Sequence, residues 1–169
     1  MIYNHKYIVL VENVIPLYRY VGGSTHFYTT SADEIGTITP GAVGKHGYVF
    51  EGVACNIFAT PEPNTIPLYR YAAGLYSHFY TTNWAEIGTD AVGAVANGWL
   101  MEGIIGYVYS TKQPGTCPLY RYLNHDHFYT VNPCEIGIII PGLIGSNGYK
   151  LEGIAAYVLT TFKCDTIAC

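Results

Sequence analysis

The chain has 169 residues, a formal net charge of −4 and only 12% charged side chains, against a usual share of about 25%. That length suits one domain with a buried core. A chain with 17 tyrosines, 19 glycines and 9 prolines and so little charge is not a disordered one, and its composition favours a β-rich fold. The acidic balance offers no basic face to neutralise phosphates, so nucleic acid is excluded as the expected partner. No apolar run approaches the ~18 residues that would span a membrane.

Residues 1–14 lead the chain. Tyr7 to Val11 is a short apolar, β-branched run that reads as a terminal strand closing the fold. The start MIYNHKYIVLVENV lacks the pattern of a signal peptide, so the expected locations are the cytoplasm or secretion by an unconventional route.

A repeat begins at Ile15. IPLYRYVGGSTHFYTT returns as IPLYRYAAGLYSHFYTT from Ile66 and as CPLYRYLNHDHFYTV from Cys117, with starts 51 residues apart. A fixed period of this size means one supersecondary unit used three times, here residues 15–65, 66–116 and 117–169 of a single domain. Within each copy the pattern predicts strands at PLYRY and HFYT joined by a short variable link. Next comes one helical turn, with Ser31 or Asn83 as N-cap and Glu34 or Glu86 completing a capping box, cut off by Gly36, Gly88 or Gly137. Two further strands follow, Tyr48–Phe50 with Val53–Phe58 and their counterparts, split by a glycine that suggests a bend or bulge. Twelve short strands in three copies predict an all-β, pseudo-threefold, β-trefoil-like domain of three ~50-residue repeats. A rival arrangement is three small sheets with the helical turns outside.

All the arginines, Arg19, Arg70 and Arg121, occupy one slot of the repeat, and Glu51, Glu102 and Glu152 occupy another, as do Glu34, Glu86 and Glu135. A planar guanidinium can stack on an aromatic ring and grip a carboxylate with two bonds. The structural reading is a set of equivalent ion pairs, Arg19, Arg70 and Arg121 with Glu51, Glu102 and Glu152, that lock strands or copies together. The functional reading has them lining three ligand pockets. A glycosidase pair is not expected, because such a pair is one asymmetric site and every carboxylate here is repeated.

His26, His78 and His127 open the HFYT strands beside the variable links. They are either half-buried structural groups or ligand contacts near exposed loops. With one histidine per copy and no carboxylates seen nearby in sequence, no metal site is predicted, and no cofactor. Most repeated aromatics read as core, whereas Tyr76, Trp84 and His125 fall outside the repeat pattern and read as exposed. Ser24, Thr25, Tyr76, Asn124 and Asp126 complete the candidate ligand-binding set, since sugar recognition uses a ring under the sugar face and a few polar groups for its hydroxyls. Five cysteines share no repeat position, and an odd count leaves at least one thiol without a partner in the chain.

The string PLYRY, HFYT, EIG and EG resembles a three-copy repeat family of unknown function found in bacterial and fungal proteins. The resemblance covers Ile15 to about Thr160, and its most specific parts are Tyr18-Arg19, His26-Phe27-Tyr28-Thr29 and Glu51-Gly52 with their counterparts. The EIG turn is shorter than the charged helix of bacterial members. The resemblance implies a non-catalytic, carbohydrate-binding accessory module, and it carries no binding residues over.

The absence of a nucleophile elbow, a phosphate loop and a catalytic triad argues against an enzyme. The leading expectation is a small lectin with up to three repeat-related sites, multivalent towards glycans or glycoproteins, with homo-oligomerisation as a further source of avidity. The alternative is a β-trefoil protease inhibitor or defence protein using one variable loop.

Overall fold

In a computed structural model, which describes residues 13–164, the chain is an all-β, antiparallel protein. The terminal strand expected at Tyr7–Val11 lies outside the described residues. The first copy contributes β1 (Val14–Gly22), β2 (Thr25–Thr29), the single helical turn α1 (Ala32–Ile35) and β3 (Val49–Phe58). The second contributes β4 (Thr65–Ala73), β5 (Ser77–Thr81), a two-residue β6 (Val95–Ala96) and β7 (Trp99–Tyr109). The third contributes β8 (Thr116–Leu123), β9 (His127–Thr130) and β10 (Lys150–Leu159).

Each copy therefore has three principal strands where four were expected. The expected third and fourth strands run as one, because the chain does not turn at Gly52, Gly103 or Gly153. The PLYRY strand lies in the middle of each unit, with the HFYT strand on one side and the long strand on the other. Copies meet one another along the long strands only through the single pairs Phe58–Tyr107, Leu159–Asn56 and Tyr157–Tyr109.

The helical turns also depart from expectation. Only the first copy forms an α-helical turn; the others, Trp84–Glu86 and Pro133–Glu135, are 3-10 turns. Ser31 makes no side-chain cap, whereas Asn83 accepts from the Ala85 N–H. The capping box forms at neither Ser31 nor Asn83: their N–H groups donate to the Thr29 and Thr81 hydroxyls, and the Glu34 and Glu86 carboxylates are committed to Thr29 with Arg70 and to Thr81 with Arg121.

The core has a shared centre and one satellite cluster per copy. Leu17, Ile57, Leu68, Val108, Leu119 and Val158 pack together at the centre, and Tyr20, Tyr71 and Tyr122 each anchor a satellite. In the middle stand Tyr28, Tyr80 and Tyr129, all at most 2% exposed, with ring centroids 5.3–5.4 Å apart in edge-to-face contact. Their hydroxyls close a cycle. The Tyr80 hydroxyl accepts from the Tyr28 N–H at 2.8 Å and donates to the Tyr28 carbonyl at 2.8 Å. Tyr129 does the same for Tyr80, and Tyr28 for Tyr129. The HFYT strands are edge strands, whose outward N–H and C=O groups would otherwise lie buried without partners. Each tyrosine thus satisfies the edge of a neighbouring copy.

A disulfide between Cys117 and Cys164, 47 residues apart, ties the start of β8 to the segment after β10. Closing a loop of that length removes chain entropy worth about 4 kcal/mol from the unfolded state. Cys55 is a free thiol in the core, and burial pushes its pKa up to about 12, so it is inert as a nucleophile.

Replacing Tyr80 by Phe keeps the ring but strands the Tyr28 N–H and carbonyl in the core. The expected loss is about 2–4 kcal/mol, since each buried unsatisfied group costs about 1–3 kcal/mol. Chemical denaturation measures it, and a loss below about 1 kcal/mol contradicts the role given to the hydroxyl cycle.

Candidate functional site

The site is built from a bulge upward. Along the pairing of β1 with β3, Arg19 faces Gly52 while Tyr20 faces Phe50, so Glu51 is an extra residue on the long strand. The same slip leaves Glu102 and Glu152 extra beside Arg70 and Arg121. The glycine that follows has φ of 147–151° in all three copies, a conformation that side-chain-bearing residues rarely adopt. A bulge re-aims the residue it inserts. Here it brings the carboxylate onto the arginine, with Nε to Oε2 distances of 2.9, 2.7 and 2.8 Å for Arg19–Glu51, Arg70–Glu102 and Arg121–Glu152.

Each guanidinium then reaches the EIG glutamate of a neighbouring copy. Arg70 grips Glu34 with two bonds of 3.0 and 2.9 Å, and Arg121 grips Glu86 with two of 3.2 and 2.9 Å. Arg19 closes the set on Glu135 at 2.9 Å. The arginines also lie over Phe128, Phe27 and Phe79, with the guanidinium carbon 5.0–5.1 Å from each ring centre. Burial would depress the arginine pKa values, but the paired glutamates outweigh it and hold Arg19, Arg70 and Arg121 above their ordinary range.

The histidines sit against these assemblies. His26, His78 and His127 place Nε2 3.7–3.9 Å from Glu51, Glu102 and Glu152, so each has the carboxylate neighbour that the sequence did not reveal. Each ring packs on the phenylalanine of a neighbouring copy, Phe128, Phe27 or Phe79, at 4.6–4.7 Å. Burial lowers the pKa of His78 and His127, with the nearby glutamates pulling the other way. Among the described residues no group of three or more His, Cys, Asp or Glu is placed to hold a metal ion, and no helix is long and apolar enough to cross a membrane.

The three junctions between copies differ beside the histidines. At the third–first junction Asp126 bridges His26 and Tyr149, and His125 Nε2 lies 2.7 Å from the Ser24 carbonyl. At the second–third junction Trp99 stands in the slot of Tyr149, 6.4 Å from the His127 ring. The first–second junction is open. A cavity of about 290 Å³ is lined there by Tyr48, Arg70, Leu75, Tyr76, His78 and Glu102, among others. Four buried polar atoms lie in the residues lining it: Arg70 Nε and Glu102 Oε2, which face each other at 2.7 Å, and Tyr48 Oη and His78 Nδ1, which make no hydrogen bond of regular geometry. The nearest polar neighbours of this last pair are the Thr25 hydroxyl, which donates to the Gly22 carbonyl and stands beside Tyr48, and the Tyr76 backbone beside His78. Tyr76 is 49% exposed at the rim, 6.4 Å from the Tyr48 ring, and Leu75 beside it is 84% exposed. A second hollow of about 290 Å³ lies against Arg19, Glu51, Thr130 and Glu135. Its charged groups are already paired with one another, so it presents nothing unsatisfied.

Of the residues singled out in the sequence, His78 and Tyr76 line the open cavity, with Thr25 next to it. Asp126 is corrected: it is 3% exposed and fully bonded, because its carboxylate serves His26 and Tyr149 rather than a ligand. Asn124 donates to the Asn147 carbonyl at 2.8 Å, and Ser24 contributes only its carbonyl, to His125. Trp84 is exposed at 44%, as is His125 on its link, but neither lines the open cavity. Sequence reasoning missed Tyr48. Its signal was available in the alternation Tyr48, Trp99, Tyr149 at one repeat position, where the middle copy alone lacks a hydroxyl.

Residues 16–159, nearly all of the described chain, match a family defined only as a domain of unknown function. The chain belongs to the DUF5648 family. No curated protein and no solved structure matches this DUF5648 chain.

The ion pairs of this DUF5648 domain carry a pH dependence. Burial alone would raise the pKa of Glu34 and Glu86, but bonds from Arg70 or Arg121 and from Thr29 or Thr81 hold them below the ordinary range. A carboxylate depressed by folding stabilises the protein above its unfolded pKa, and that stability is lost as pH falls through the folded value. Thermal unfolding should therefore lose midpoint as pH drops below about 4. Glu34→Gln with Glu86→Gln should flatten that slope. An unchanged slope would contradict the pairing.

Proposed function

We propose that this DUF5648 chain is a non-catalytic carbohydrate-binding protein whose ligand enters the first–second junction. The observation that carries the reading is the conjunction there of an exposed aromatic rim, Tyr76, with two buried polar atoms that make no hydrogen bond of regular geometry, Tyr48 Oη and His78 Nδ1. Small-ligand sites are concavities with an apolar wall and a few convergent polar groups that fix orientation. Buried polar atoms without partners cost free energy unless something fills the site. A non-catalytic role is favoured because Glu34, Glu51, Glu86, Glu102, Glu135 and Glu152 are all engaged by arginine.

The same reading takes the domain as a pseudo-threefold assembly of three units, each built on a PLYRY strand, whose long strands join them into one ten-stranded sheet. The cyclic tyrosine bonds and the repeated arginine bridges support it, and the single-residue pairings between long strands favour it over a β-trefoil with a barrel shared between copies. One open junction makes a monomer monovalent, so agglutination would require a homo-oligomer. The Cys117–Cys164 disulfide suits an oxidising compartment. One observation favours a second reading, protease inhibition: Leu75 stands 84% exposed at the tip of the link between β4 and β5.

A glycan array probed with the wild-type protein and with Tyr76→Ala tests the proposal. The expected result is binding to a restricted set of glycans, weakened about tenfold or more by loss of the rim ring, worth about 1.4 kcal/mol. No binding across a broad array contradicts it. Inhibition of a protease by the wild type, lost in Leu75→Asp, would favour the second reading.

A further inference from the structure

The first–second and third–first junctions contain the same pair of groups, a histidine from one copy and a tyrosine from its neighbour. At the third–first junction one carboxylate satisfies both. Asp126 Oδ2 accepts from the His26 backbone N–H at 2.9 Å and lies 2.7 Å from His26 Nδ1, while Oδ1 accepts from the Tyr149 hydroxyl at 2.5 Å. Burial would raise the Asp126 pKa, but the bonds from His26 and Tyr149 outweigh it and keep the carboxyl ionised. An ionised carboxylate only accepts, so Nδ1 of His26 carries the proton.

At the first–second junction the corresponding atoms are Tyr48 Oη and His78 Nδ1, both buried, with no carboxylate between them and no hydrogen bond of regular geometry; the Thr25 hydroxyl and the Tyr76 backbone lie beside them. Tyr48 is 3% exposed, and the His78 side chain 9%. Thr25 occupies the repeat position of Asp126, and its shorter side chain turns back to the Gly22 carbonyl. The surrounding charges are the same in kind. Arg19 with Glu51 and Glu135 flanks the Asp126 site, and Arg70 with Glu102 and Glu34 flanks the cavity. A setting that holds an ionised aspartate in one junction can therefore hold an ionised guest in the other.

The geometry points to a carboxylate-binding pocket between the first and second copies. The guest acid takes the place that the Asp126 side chain fills in the third–first junction. Resting on the carbohydrate reading, the ligand is an acidic sugar, with its carboxylate between Tyr48 Oη and His78 Nδ1 and its ring against Tyr76. Asp126 is in this sense a built-in ligand, and the chain keeps one of its junctions for an external one. His78 faces Glu102, Glu34, Arg70, the Phe27 and Tyr48 rings and the Tyr76 backbone, and His46 lines the same cavity. Protonating it supplies a donor at Nδ1 while Nε2–H remains turned to Glu102. Binding an anion raises the His78 pKa, so affinity should rise as pH falls through the bound-state value and level off at the lower, free-state value.

The test is NMR titration of the His78 imidazole with glucuronate, glucose and acetate, in the wild type and in Thr25→Asp. The expected result is a saturable glucuronate shift at least about tenfold tighter than any glucose response, because charge-assisted bonds exceed neutral ones. Thr25→Asp should abolish that shift by filling the pocket from within, and should leave the His26 resonances in place. Tyr48→Phe, which introduces no buried charge, should weaken glucuronate about tenfold and serves if Thr25→Asp does not fold. Equal responses to glucose and glucuronate, no response to glucuronate, or full binding by a folded Thr25→Asp would overturn the proposal. Binding of neutral sugars alone would do so while leaving the carbohydrate reading intact. Equal affinity for acetate and glucuronate, with an empty glycan array, would sustain the carboxylate pocket and remove the sugar.

Discussion

Each arginine of this chain is shared by two glutamates, one from its own copy and one from a neighbour, and the junctions between copies depend on that sharing. The own-copy glutamate reaches the guanidinium because a bulge inserts it opposite the arginine. The neighbour's glutamate arrives on the short turn after the HFYT strand, where a threonine hydroxyl at the end of that strand also holds it. Arginine suits this post better than lysine, since its planar fork can face two carboxylates while its face lies on a phenylalanine. The side chains are partly rather than wholly buried, so specificity of docking is the larger benefit and raw stability the smaller.

Inside that ring of charges the tyrosine cycle solves a second problem. Bringing three edge strands to one centre would bury their outer backbone groups, and a tyrosine hydroxyl can accept from an N–H and donate to a carbonyl at once. Serine is too short for this and phenylalanine has no hydroxyl. The YRY and HFYT motifs thus divide their work between the periphery and the centre of the same junction. The histidines pack at the margin of the junction, where the copies differ.

Much of this was legible in the sequence. A fixed 51-residue spacing and a chain whose only arginines sit in one slot showed the repeat and its ion-pair chemistry. The glycine after Glu51 announced an irregular strand. Which carboxylate reaches across to a neighbour was not legible, because a repeat pattern does not reveal how copies dock. For the same reason Asp126 read as an exposed loop acid, although its position before a repeat histidine places it inside the junction. The long strand through Gly52 reads as two because a bulge and a break leave the same mark in a sequence. Tyr48 is hidden in the sequence because it stands at a repeated aromatic position, and such positions read as core. The repeat supplies the histidine and the ring opposite it, and the junctions differ in the residue before the histidine, Thr25, Ser77 or Asp126.

The central claim is that the chain fills one of its histidine–tyrosine junctions itself and leaves the equivalent one for an acidic guest. A crystal structure after soaking with glucuronate tests this most directly. The account predicts sugar density in the first–second junction alone, with the carboxylate within hydrogen-bond reach of Tyr48 Oη and His78 Nδ1. Glucuronate bound at all three junctions, or displacing Asp126 while the first–second junction stays empty, would contradict it.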